Sequence, residues 1–414
     1  MKIGILTYHC VPNFGAQLQA VSTIGYLKKR GYTPLVIHWV PEDLEKRDRK
    51  NVPNKQYETH WRFAEETMPL TRLCRTEEDV IKEIEANNID GIFVGSDALF
   101  KYVPLKDRHF FSKRKLRIIK NDILTVEDFH SNPFWGGFIS CLKNRIPAFA
   151  YSVSSQNCHY NIMDATERIM MKDHIRNFCG VTVRDEWTQR MIEEITGDNV
   201  KITPDPVFAF NQNCYLTIPS KADVLAKFDL NDNYVLVSFH LGILPNSYFD
   251  NLYSSITAHG FQPIILPTPE GFKYKGHNKY IEQPLSPIDW YALISYSKGY
   301  IGERMHPIVV CLHNNVPFVC FDEYGVTEKH WLGLKRKYIK ESSKIFDILE
   351  KAGLLENWIP YHGKVPSPQN VVSRLLAFDK SQCSEFSKSY NQYYNKSMDY
   401  ALQTLEHSIV ITNK

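Results

Sequence analysis

The chain has 414 residues, long for one hydrophobic core, so two domains of common size are expected. Hydrophobic residues make up 43% and charged residues 23%, an ordinary soluble composition, and the net charge of +3 is too small to argue for a nucleic-acid partner. The 9 cysteines, an odd number with no C-x-x-C pair, argue for free thiols in a reducing compartment and against a disulfide framework or a zinc site.

Met1–Cys10 carries one lysine and a short apolar run, which reads as a first strand rather than a signal peptide. No apolar run approaches the roughly 18 residues of a membrane span, and a cytoplasmic protein is expected. Ile3–Thr7 is the first strand. A loop from Val11 leads into a helix that ends near Arg30, with Gly31 just past it. Leu35–Trp39 is the second strand. This β-loop-α-β opening is Rossmann-like, but Gly15 is the loop's only glycine, so the dinucleotide fingerprint is absent. Gln17 and Gln19 open the helix and either bind a polyol or face water.

Pro41–Arg75 is polar and reads as an excursion with little core. Thr76–Asn88 is a helix, with Thr76 as N-cap and Asp79 closing an imperfect capping box. Ile89–Val94 is a strand that runs into Gly95-Ser96-Asp97. Asp97 is either a base acting on a sugar hydroxyl or a helix cap. Leu99–Asn132 is an insertion. Its basic run Arg108–Lys120 is a solvated face, or a contact with acidic lipid head groups or a phosphorylated acceptor.

Phe134–Leu142 looks helical, Pro147–Val153 is a strand, and Ala165–Cys179 is an amphipathic helix. The short strand Val181–Val183 ends in Arg184-Asp185. A cation at the start of the helix Glu186–Ile195 opposes the helix dipole, which leans Arg184 toward function. Lys201–Thr203 leads to Pro204-Asp205-Pro206. The polar stretch Asn211–Asn233 reads as a linker between domains at 1–215 and 231–375. In the second unit Tyr234–Phe239 is a strand ending at His240-Leu241-Gly242, and Pro263–Leu266 is another. Ser286 caps a helix, and residues 376–414 form a helical tail that packs back on the first domain.

The stretch Ser295–Tyr324 gathers the most chemistry. A strand, Gly299–Gly302, passes into a turn with Glu303, Arg304 and His306. A helix from Pro307 and a strand, Pro317–Asp322, follow. Open α/β sheets bind ligands at such strand ends, and anions gain from a helix N-terminus. An arginine and a histidine two residues apart there suit an anionic substrate and proton transfer; equally, they suit a structural ion pair and a cap. Two Rossmann-like halves would face each other across a cleft, a GT-B-like α/β arrangement.

Five segments in order resemble the polysaccharide pyruvyl transferase family: Asn13–Gln19 (NFGAQLQ), Phe93–Asp97 (FVGSD), Val183-Arg184-Asp185, Asp205-Pro206, and Arg304-Met305-His306 with Val316-Pro317-Phe318 beyond. The chain departs from the family pattern at Pro307 and Phe100. The resemblance implies transfer of the carboxyvinyl unit of phosphoenolpyruvate onto two hydroxyls of a sugar in surface polysaccharide synthesis, giving a cyclic ketal and phosphate. The sugar would be lipid-linked, nucleotide-linked or polymeric. It implies His306 as general acid, Asp97 as base, and Arg304 and Arg184 as forks on the two anionic groups. His240, Gly242, Asn13, Gln17 and Ser96 would line the substrates' pockets. No metal or redox cofactor is required. The other readings are a GT-B glycosyltransferase using a nucleotide sugar, and an inactive family member that binds partners in glycan assembly.

Overall fold

Residues 1–112, 117–120, 124–329 and 336–412 are described by a computed structural model. The first half holds β1 (Lys2–Leu6), β2 (Thr33–Val36), β3 (Gly91–Asp97), an antiparallel hairpin of β4 (His109–Ser112) and β5 (Arg117–Lys120), then β6 (Ala148–Val153), β7 (Gly180–Val183) and β8 (Lys201–Ile202). The second holds β9 (Tyr234–Ser238), β10 (Gln262–Ile265), β11 (Lys279–Tyr280), β12 (Gly299–Gly302), β13 (Phe318–Asp322), a hairpin of β14 (Val326–Lys329) and β15 (Arg336–Ile339), and β16 (Trp358–Pro360). Each half builds a six-stranded parallel sheet, in the orders β2-β1-β3-β6-β7-β8 and β11-β10-β9-β12-β13-β16. The fold is therefore two Rossmann-like α/β domains. Every residue of β3, β9, β12 and β13 is buried, because helices cover both faces of the sheets.

Strand order locates the ligand crevices. The first chain reversal lies between β1 and β3, and the second between β9 and β12. Gly302 pairs with Ser238, so β12 and β9 end level, whereas Leu6 pairs with Val94 and β3 runs on to Asp97. Loops after such strands part to opposite faces and leave a crevice at their carboxyl ends. The loops carrying Tyr8–Asn13, Asp97, His240 and Arg304 all open there.

Four regions differ from expectation. Residues 41–75 contain two helices, Glu42–Asn51 and Asn54–Thr67, which bury Leu44, Tyr57, Phe63 and Ala64. Their inward stripes are narrow, and surrounding charge hides them in the composition. The stretch read as a linker contains the helix Lys221–Phe228, started by a complete Ser220–Asp223 capping box and packed on the helix Pro287–Tyr296. Phe134–Leu142 is two 3-10 turns, Pro133–Trp135 and Gly137–Cys141, hinged at Gly136 with φ +81°. The Thr76–Asp79 capping box, expected to be imperfect, has both halves formed.

The tail comprises the helices Pro368–Leu376 and Lys380–Thr412. The longer one lies across the first domain. Tyr394 meets the Tyr26 and Tyr151 rings edge-on, Asp399 binds Tyr26 and Arg30 at 2.6 and 2.8 Å, and Leu405 rests against Gly91. Cys383, near its start, donates to the Leu312 carbonyl of the second domain, so one helix straps both. Beyond Arg108, the side chains of the basic run lie outside the described residues. No helix among the described residues is long and apolar enough to cross a membrane.

Two buried histidines tie the fold to pH. His60 sits between Gln17 and Gln56, and His313 Nε2 shares a hydrogen bond with the Tyr291 hydroxyl; burial holds each near a pKa of about 3. Unfolding returns them to the ordinary value near 6.5, so the unfolded chain binds more protons below it. Stability is therefore lost as pH falls through 6.5 toward 3, by about 3 kcal/mol per pH unit for the pair. Urea unfolding at pH 7 and pH 5 checks this; equal midpoints would contradict it.

Candidate active site in the interdomain cleft

A cavity of about 360 Å³ lies between the two sets of strand ends. The first domain contributes Tyr8, Asn13, Gly15, Arg47, Asp48, Asp97, Lys101 and Glu127. Glu270, Arg304, His306, Tyr324 and Lys344 come from the second.

Arg304 occupies the N-cap position of the helix Met305–Asn314 without capping it, so its side chain is free to aim into the cleft. Its Nη2 donates to Glu270 Oε1 at 3.1 Å and to His240 Nε2 at 2.9 Å, while Nε is buried with no partner among the described residues. A guanidinium only donates, so His240 Nε2 is bare and Nδ1 carries the proton. That Nδ1 lies 3.2 Å from Glu303 Oε2, without good hydrogen-bond alignment. Glu303 is fully buried and accepts from the His240 and Leu241 amides and the Tyr361 hydroxyl. Glu303, His240 and Arg304 thus form a braced chain that ends at the cavity.

His306 is the second residue of the same helix. Its Nε2 is buried, 4.0 Å from Asp205 Oδ2, with no hydrogen-bond partner among the described residues. Burial lowers its pKa, against the upward pull of Asp97 and Asp205. The protein alone therefore favours neutral imidazole. The ring presses on Gly15 of the opposite domain, where an added Cβ would fall 1.9 Å from His306 Cγ. The glycine of the N-F-G-A-Q segment is required by this approach across the cleft. Gly15→Ala should therefore fold but displace the ring, lowering turnover about 100-fold in a steady-state assay. Undiminished turnover would contradict the contact.

Arg184 does not line the cavity. It lies one layer behind, with 3% side-chain exposure, Nη1 2.7 Å from Asp205 and Nη2 3.5 Å from Asp97. Nε and Nη2 have no hydrogen-bond partner among the described residues. Asp97 ends β3 at φ +97° and caps no helix; its carboxylate accepts from the amide of Ala98, at 2.8 Å. Burial would raise its pKa, but Arg184, His306 and Lys344 together hold it below the usual carboxylate range.

Other expected residues fall elsewhere. Gln17 is fully buried and spends its amide on the His9 and His60 carbonyls and the His60 ring, which corrects its reading as a substrate ligand. Gln19 likewise braces Thr7 and the Ser96 amide, and neither glutamine faces water. Ser96 donates to the Ser152 carbonyl inside the sheet, a second correction. Asn13 lines the cavity but also caps its helix at Ala16. Gly242 is not among the lining residues and faces Lys273, a third correction; His240 reaches the cavity only through Arg304.

The sequence reading overlooked Lys344, the first residue of the helix Lys344–Ala352. Its ammonium sits 4.4 Å from the centroid of the Tyr324 ring, and burial, then Arg184, brings its pKa down to about 8. The signal was available, since a cation at a helix start opposes the dipole as Arg184 does. Arg47, Asp48, Lys101 and Glu127 were also overlooked. Tyr8 donates to Glu127 at 2.7 Å, Arg47 binds Glu127 and Asp48, and Lys101 binds Asp128 at 2.6 Å. This wall offers carboxylate and phenol oxygens suited to hydroxyl groups.

Comparison with known proteins fits this geometry. The fold resembles UDP-N-acetylglucosamine 2-epimerase from Rickettsia bellii, with TM-score 0.53, 12% identity, and coverage of 98% of this chain and 97% of that one. It also resembles Arabidopsis thaliana UGT89C1 complexed with quercetin, with TM-score 0.51, 9% identity, and 99% of each chain covered. Identities this low speak for the two-domain fold alone. No curated protein sequence matches the chain. The family model for polysaccharide pyruvyl transferase matches residues 13–323, a span that runs from Asn13 through Asp97, Arg184 and Asp205 to His306. The chain belongs to the polysaccharide pyruvyl transferase family.

Proposed function

We propose that the chain transfers the carboxyvinyl unit of phosphoenolpyruvate onto two hydroxyls of a sugar, forming a pyruvate ketal and releasing phosphate. The observation that carries this reading is the buried Nε2 of His306, without a hydrogen-bond partner among the described residues, 4.0 Å from Asp205 and within the charges of Asp97, Arg184 and Lys344. A proton donor that shares its cavity with Arg304 and Lys344 suits a small trianionic enol ester better than a neutral sugar.

The donor's carboxylate and phosphate take the free donors of Arg304 and Lys344, with Arg184 behind them. Their negative charge raises the His306 pKa and loads the ring with a proton. His306 gives that proton to the methylene carbon, which becomes a methyl group, and positive charge develops at the adjacent carbon. The first sugar hydroxyl bonds to that carbon and passes its proton toward Asp97. The carbon–oxygen bond to phosphate breaks, with the electron pair leaving on phosphate. The second hydroxyl closes the ring; one of the two hydroxyl protons restores His306 and the other leaves with phosphate. Its lowered pKa makes Asp97 a weak base, and its charge also stabilises the cationic carbon.

Thermal shift separates this from the glycosyltransferase reading. Phosphoenolpyruvate should raise the melting temperature, and stabilisation by nucleotide sugars alone would overturn the proposal. Lys344 predicts the pH dependence. Its charge is present below pH 8 and lost above it, whereas the donor's phosphate is already fully ionised there. The donor Kd should therefore rise up to about tenfold per pH unit above 8. Lys344→Met should flatten that profile in calorimetric titration, and an unchanged profile would remove Lys344 from the site.

A further inference from the structure

The chain just beyond β1 carries a cluster that the cleft chemistry leaves unused. His9 and Cys10 turn inward and meet His38, just past the end of β2. His9 Nε2 lies 2.8 Å from His38 Nδ1, and Cys10 Sγ lies 3.8 Å from the same nitrogen. One ligand atom from each residue falls within 4.8 Å of the others, and the residues are 1%, 2% and 5% exposed. The second nitrogen of His9, Nδ1, is 2.9 Å from the Thr7 carbonyl. A carbonyl only accepts, so Nδ1 carries the proton and Nε2 turns its lone pair toward the cluster. A backbone carbonyl that fixes the tautomer in this way is the usual support of a metal-bound imidazole.

We propose that His9, Cys10 and His38 bind one divalent transition-metal ion of the zinc type. Two imidazoles and a thiolate favour zinc, cobalt or copper over magnesium or calcium. Glu65 is a neighbouring carboxylate that is not one of the cluster's own ligand atoms. Its charge acts on both Cys10 and His38, and it accepts at 2.8 Å from Trp61, whose ring lies 5.4 Å from that of His38. A water completes a tetrahedron. The competing state is a pair of imidazoles sharing one hydrogen bond.

The two states interconvert with a simple balance. On binding, His38 moves its proton from Nδ1 to Nε2 and Cys10 releases one proton to solvent. The two nitrogens open from 2.8 Å to about 3.3 Å, as metal–nitrogen bonds of about 2.0 Å in a tetrahedron require. The sulfur–nitrogen spacing already suits a shared ion. The three residues do not line the cavity, whereas their neighbours Tyr8, Val11 and Asn13 do. The ion would therefore pin the cavity loop to the end of β2. The absence of a C-x-x-C pair conceals such a site in sequence, because its ligands lie on two separate strands' ends.

Titration of the full chain with cobalt(II) tests this. The expected result is one equivalent bound, with a thiolate-to-cobalt charge-transfer band and tetrahedral visible bands. Cys10→Ser should abolish the charge-transfer band and weaken binding about 100-fold, whereas Cys74→Ser should leave both intact. X-ray absorption of the zinc-loaded wild-type protein needs no variant to fold; it should show one sulfur at about 2.3 Å and nitrogens at about 2.0 Å. No stoichiometric binding, an unchanged band in Cys10→Ser, or a first shell without sulfur would overturn the proposal.

Discussion

His306→Ala is expected to lower turnover by about 10³-fold while leaving the affinity for phosphoenolpyruvate within a few-fold of wild type. The magnitude is that of a positioned general acid. Its Nε2 has no hydrogen bond to lose among the described residues, so the fold should survive the change. Removing an uncharged imidazole leaves the guanidinium and ammonium groups in place, which is why binding persists. Rapid-quench measurement of phosphate release, beside calorimetric titration of the donor, separates the two quantities. Wild-type turnover would mean that another group delivers the proton, and the buried ammonium of Lys344 would be the first alternative.

The second large effect belongs to Arg304. Arg304→Lys should weaken donor binding about 30- to 100-fold, with a smaller change in turnover of the bound complex. Lysine keeps the charge, so Glu270 stays paired and the fold is spared. It loses the planar fork, however, and cannot hold His240, Glu270 and an anion at once. A Kd within threefold of wild type would show that the guanidinium serves the Glu303–His240 chain rather than the donor.

Much of this was legible because strand ends in a parallel sheet are marked twice, by short apolar runs and by the polar turns that stop them. β12 and its turn were readable from Gly299 to His306, although the helix begins at Met305 rather than Pro307. Arg184 was singled out by its conflict with a helix dipole, yet dipole reasoning could not tell a surface of the cavity from the layer behind it. What escaped lies where meaning depends on packing. Gln17 and Ser96 share motifs with cavity residues, but helix and strand periodicity turns them into the core. Arg47 and Asp48 lie on a helix that composition disguised as a loop. Gly15 was read only as the lone glycine of its loop; the folded chain shows that His306 of the other domain occupies the space its side chain would need.

The most direct measurement is mass spectrometry of candidate glycans incubated with the protein and phosphoenolpyruvate, with phosphate followed in parallel. The account predicts a product heavier by pyruvate less water, one phosphate released per product, and neither in His306→Ala. Consumption of a nucleotide sugar with release of the nucleotide, and no pyruvylated glycan from any acceptor, would contradict it.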